Sequence, residues 1–139
     1  MADQNTTIDL DTLHTVIVQQ VQAQFPDLVT VEFYRTDYSG LPLPACLLEM
    51  TEMENEPGED AGTGQLAVKA RFEARLVIGF KTPNAKMEIR KLAAAFAAWV
   101  KLRKWPGAPS GEAEVIGCYD DHFEPALEQY EVWRVEWTQ

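Results

Sequence analysis

Residues 65–81 read Gln-Leu-Ala-Val-Lys-Ala-Arg-Phe-Glu-Ala-Arg-Leu-Val-Ile-Gly-Phe-Lys, and their alternation decides the fold class. Leu66, Val68, Ala70, Phe72, Ala74, Leu76, Ile78 and Phe80 fill every even position, whereas Lys69, Arg71, Glu73, Arg75 and Lys81 fall on odd ones. That is the two-residue period of a strand with one buried and one polar face. Fully extended at about 3.3 Å per residue, the stretch would be roughly 55 Å long. A compact chain of this size is on the order of 35–40 Å across. The strand is therefore expected either to break at a bulge, with Gly79 the candidate, or to project as one leg of a long hairpin.

Outward from this stretch the pattern is equally directional. On the N-terminal side, Ala45–Met53 has strand character and leads into Glu-Asn-Glu-Pro-Gly-Glu-Asp, the start of a polar loop that reaches Gly64. Two strand-like runs joined by polar residues alone predict an antiparallel hairpin with a mobile acidic tip over 54–64. On the C-terminal side, Thr82-Pro83 reads as an N-cap and first helical residue. Ile89, Leu92, Ala93, Phe96, Trp99, Val100 and Arg103 then mark a helix that Trp105-Pro106-Gly107 stops.

At the ends, residues 1–7 are small and polar and are expected to fray. Ile8–Phe25 has a helical apolar stripe, with Asp9 and Asp11 at its start and Pro26 after it; Val29–Arg35 reads as a strand and Thr36–Pro44 as an irregular connection. Ala113–Tyr119 and Tyr130–Thr138 read as two more strands. The expected chain is a single α+β domain over 1–139, of order α-β-β-β-α-β-β: a mostly antiparallel sheet of four to five strands, two helices packed on it, and a long projecting hairpin.

Composition narrows the function classes. An apolar content of 46% supports one core without staples, and no run long enough to span a membrane and no leader is visible, so a soluble protein made in the cytoplasm is expected. The formal charge of −10 is unevenly placed: residues 81–104 carry +6 and the remainder −16. An acidic chain repels nucleic acid, whereas such polarity suits contact between the basic face of one copy and an acidic face of another; a solvated helix face is the alternative reading of the same charges.

Chemistry has few places to sit. Cys118, Asp120, Asp121 and His122 include thiol, carboxylate and imidazole, and are the candidate residues for a metal- or thiol-dependent enzyme; His14 is the only other histidine. Adjacent positions cannot all face one ion in ordinary backbone, so the expectation is a strand-ending turn in which Asp120 and Asp121 serve local backbone bonds. The carboxylates from Glu49 to Asp60 lack the spacing of a calcium loop. Trp99, Trp105, Trp133 and Trp137 are expected in the core rather than around a ligand, although a pocket lined by them is the third reading. No cofactor, metal or catalytic residue is assigned.

The run Leu43–Met50 leading through the acidic loop into Thr63–Phe80, then the helix Lys86–Val100 and the closing aromatic-rich segment Asp121–Trp137, resembles the tail terminator proteins of long-tailed bacteriophages and prophages, also called minor tail or tail completion proteins. The resemblance covers most of the chain. It implies a non-enzymatic virion protein, made in the bacterial host, that forms a ring, typically of six subunits, on the tail tube. Such a ring stops polymerisation and joins the tail to a head-completion protein. Under this resemblance Arg90, Lys91 and Lys101 meet acidic groups of a neighbour, while Glu52, Glu54, Glu56, Glu59 and Asp60 face another subunit or the tube protein. Neither membrane nor nucleic acid is an expected partner.

Overall fold

Ala70, Phe72, Ala74, Leu76 and Ile78 of the alternating stretch face a core in the computed structural model, which describes residues 9–55, 68–108, 110–121 and 130–139. The elements are α1 (Leu10–Gln24), β1 (Thr30–Phe33), β2 (Ala45–Asn55), β3 (Val68–Gly79), α2 (Ala85–Val100), β4 (Glu114–Asp120) and β5 (Tyr130–Thr138). They follow the expected order and make an α+β fold. The strands form one sheet in the order β1-β2-β3-β5-β4. All neighbours are antiparallel except β1 and β2, which run parallel.

Both helices lie on one face of the sheet. Ile17 and Val21 of α1, and Ile89, Ala93, Phe96 and Val100 of α2, share a core with Leu48, Phe72, Leu76, Val135 and Trp137. Phe72 stacks on Trp137 with ring centroids 5.3 Å apart, and Phe96 closes on the same indole at 6.0 Å. Each such pair adds about 0.5–1.5 kcal/mol beyond the area it buries. The tryptophans thus belong mainly to the core, as the alternation of β5 predicts.

Helix boundaries follow local chemistry. Asp9 caps α1 by accepting from the Thr12 N–H (2.9 Å) and hydroxyl (2.6 Å). The expected Thr82-Pro83 start of α2 is wrong. The Thr82 N–H closes a turn onto the Gly79 carbonyl (3.0 Å), and Asn84, in the left-handed region at φ 58°, is the N-cap. Asparagine tolerates that backbone better than most residues. The helix also ends before the expected stop at Trp105: Leu102 is left-handed (φ 61°), and its N–H donates to the Ala113 carbonyl (2.8 Å) instead of continuing the helix. Lys101, Arg103 and Lys104 therefore follow the last turn of α2.

The other sheet face is not open to water throughout, as strict alternation had implied. Leu41 from the β1–β2 connection packs with Ala45, Leu47, Val77 and Val132, flanked by Tyr38, Leu43 and Tyr130. At the end of β3 the relation inverts, and Phe80 of the apolar row is 55% exposed. No bulge occurs at Gly79. The register instead shifts in β2, between Met50 and Glu52 opposite β3, and in β4, between Val115 and Gly117 opposite β5.

Candidate functional site

That shift at Thr51 organises the helix-free face. Before it, Glu49 stands opposite Glu73 on β3, which stands opposite Glu136 on β5. Beyond it, Glu52 faces Arg71 and Glu54 faces Lys69. Had the register continued unbroken from Met50, Thr51 and Met53 would occupy those positions and both glutamates would turn to the helix side. One residue thus assigns the acidic side chains of the β2–β3 arm to a face.

On that face, the row of three glutamates borders a row in which Arg75 lies opposite Arg134. The ions interlock. Arg75 Nε donates to Asp121 Oδ2 at 2.8 Å, and its Nη atoms lie 3.7 Å from Glu49 and 3.8 Å from Glu73. Arg134 reaches Asp121 and Glu136, both at 3.3 Å, and Arg71 reaches Glu136 at 3.2 Å. Arg75 is 7% exposed, so the expectation of a solvated odd-numbered face fails there. A buried guanidinium is tolerated because carboxylates from β2, from β3 and from the residue that follows β4 surround it. Burial opposes its charge, but Asp121, Glu49 and Glu73 outweigh that and hold its pKa above the ordinary arginine range. Glu73 is held above the usual carboxylate range by burial first and then by Glu136, against the pull of Arg75 and Arg134.

Asp121 is accordingly an ion-pair partner of both arginines. This separates the candidate enzyme cluster. Cys118 lies opposite Val135 and packs on the helix side, its Sγ 4.0 Å from the Ala93 carbonyl, whereas Asp121 joins the arginines on the other face. His122 lies outside the described residues, and among those described no group of three histidine, cysteine, aspartate or glutamate side chains is arranged to hold a metal. Burial pushes both thiols, Cys46 and Cys118, up, away from the reactive thiolate. His14 belongs to α1 beside β1, at the sheet edge opposite β4; its Nδ1 lies 2.8 Å from the Leu10 carbonyl and its Nε2 2.9 Å from the Tyr34 hydroxyl. It cannot pair with Cys118. A groove of about 320 Å³ between α1 and β1, lined by His14, Val18, Val31 and Phe33 among others, includes none of the tryptophans.

The interface residues expected from sequence divide in two. Arg90 lies with its guanidinium 4.9 Å from the Trp133 ring and donates to the Lys86 carbonyl at 2.7 Å. Lys91 pairs with Glu88 of its own helix at 3.0 Å, on a different side of α2, and Lys101 is exposed beyond the helix end. The three cations are thus spread along and around α2, not gathered at one point. Glu52 and Glu54 lie on the opposite side of the sheet, at the exposed end of β2; Glu54 is in the strand and not in the loop. Glu56, Glu59 and Asp60, and most of the expected tip, lie outside the described residues.

One property of the arm was not foreseen. Arg71 and Lys69, the cross-strand neighbours of Glu52 and Glu54, turn away to Glu136 (3.2 Å) and Glu114 (3.6 Å). Neither Glu52 nor Glu54 has an ion pair among the described residues. The arm therefore presents carboxylates with no ion-pair partner among the described residues although cations stand directly opposite them. The arm thus offers fixed negative charge on exposed side chains at one end of the sheet. Neither models of known protein families nor curated protein sequences give a match to the chain.

Proposed function

We propose that this chain is a structural assembly subunit of the phage tail-terminator kind: it forms a ring on the tail tube, halts tube growth and offers a surface to a head-completion protein. The observation that carries the reading is the separation of charge across the sheet. Uncompensated acid on the β2–β3 arm occupies one side and the cations of α2 the other. Such a molecule favours head-to-tail contact between copies, and heterologous contacts close into rings when the rotation per subunit permits. The resemblance of the sequence supplies the kind of assembly, and the geometry supplies a reason for it.

The test is charge reversal. Arg90→Glu/Lys91→Glu is expected to lower co-sedimentation with tail tubes and ring formation about tenfold, corresponding to about 1.4 kcal/mol, while far-UV circular dichroism stays unchanged. Because Arg90 also rests on Trp133, Lys101→Glu serves as the second variant and should act in the same direction. Unchanged particle size by light scattering for both variants would remove α2 from the interface.

A further inference from the structure

We propose that the outer edge of β2 from Glu49 to Asn55 is a strand-addition site, and that its partner is an extended segment in which lysine or arginine alternates with apolar residues. The inference rests on the reading of the β2–β3 arm as an assembly contact and specifies how that contact is made.

Three observations meet on this edge. First, β1 covers β2 only from Ala45 to Leu48. At Tyr34 the chain enters the left-handed region (φ 56°), with its N–H still donating to Leu48 at 2.9 Å, and β1 goes no further. From Glu49 onward β2 is paired on its β3 side alone among the described residues, so alternate backbone N–H and C=O groups point outward unmatched. Second, Thr51–Asn55 are all exposed, so no described element lies over this edge. Third, the two faces of the edge differ. Glu52 and Glu54 stand on the charged face with no ion pair among the described residues, whereas Met53, 52% exposed, stands on the helix-side face with Met50.

These faces specify the partner. A strand laid beside β2 sends successive side chains to opposite faces. Basic residues on one parity would meet Glu52 and Glu54, and apolar residues on the other would cover Met53 and Met50. A helix can meet the charge but not the backbone groups. An acidic strand meets the backbone but is repelled. Main-chain bonds would provide affinity, and side-chain parity would select the partner.

The probe is a capped synthetic peptide alternating lysine and valine, titrated into the full chain while backbone amide resonances are followed by NMR. Saturable binding is expected, with the largest shifts confined to Glu49–Asn55. N-methylating alternate residues of the peptide keeps every charge and removes outward N–H donors, and should weaken binding at least about tenfold. Glu52→Gln/Glu54→Gln, which adds no repulsion to Arg71 or Lys69, should weaken it comparably with an unchanged far-UV spectrum. Equal affinity of the methylated peptide would reduce the contact to charge alone and overturn strand addition. Shifts centred on another surface, or no binding, would overturn it as well. If the peptide fails while charge reversal on α2 still abolishes ring formation, the strand-addition site is wrong and the assembly reading stands. If the peptide binds as expected and no assembly forms on tubes, the assembly reading is wrong and the edge remains a binding site.

Discussion

Arg75→Met is expected to lower the unfolding free energy by about 3 kcal/mol, the lower end of the cost of breaking a buried ion pair. The variant keeps most of the side-chain volume, so the loss isolates the charge. Asp121, its side chain 2% exposed, would keep Arg134 at 3.3 Å but lose the shorter Arg75 bond at 2.8 Å. Glu49 and Glu73 would lose the same cation. Adding Asp121→Leu to Arg75→Met should recover much of that loss, because an apolar pair replaces a half-empty ionic one. Urea unfolding at neutral pH measures both. A single variant as stable as the parent would show that the lattice does not depend on Arg75.

Gln139→Ala is expected to cost about 2–3 kcal/mol through polar groups left without partners. The Gln139 carboxamide joins four places in the fold. Its Oε1 accepts from the indole N–H of Trp105 (2.6 Å) and of Trp137 (3.3 Å), and its Nε2 donates to the carbonyls of Arg103 (2.8 Å) and Gly111 (2.7 Å). Its main chain pairs with Ala70 in both directions (2.8 and 2.9 Å), extending β5 along β3. Trp105 is 1% exposed, so water cannot readily replace the lost acceptor. Gln139→Glu keeps the acceptor and loses both donations, and should fall between the parent and the alanine variant. Thermal unfolding followed by tryptophan fluorescence measures the series; an alanine variant melting with the parent would assign the carboxamide no stabilising role.

Much of this architecture is legible in the sequence because it rests on period. The alternation of Val68–Ile78 and the helical spacing of Ile89, Phe96 and Val100 each report burial many times over, so the element order and the α+β class follow. What escapes depends on single residues. The extra residue at Thr51 leaves no mark on composition, yet it decides which face carries Glu52 and Glu54. Arg75 reads as a solvent residue because alternation cannot show Asp121, 46 positions later, arriving to meet it. The parallel pairing of β1 with β2 depends on the path of residues 34–44, where Tyr38, Leu41 and Leu43 pack on the sheet although the prolines and glycine advertise only a loop. The charge of the α2 region was legible, but its dispersal was not: Lys91 goes to Glu88 and Arg90 to Trp133 through contacts set by helix phase.

Electron micrographs of tails assembled in cells that lack this chain test the central claim most directly. Loss of a ring that stops polymerisation predicts tubes of abnormal and variable length without joined heads, restored by supplying the intact chain. Tails of normal, uniform length joined to filled heads would contradict it.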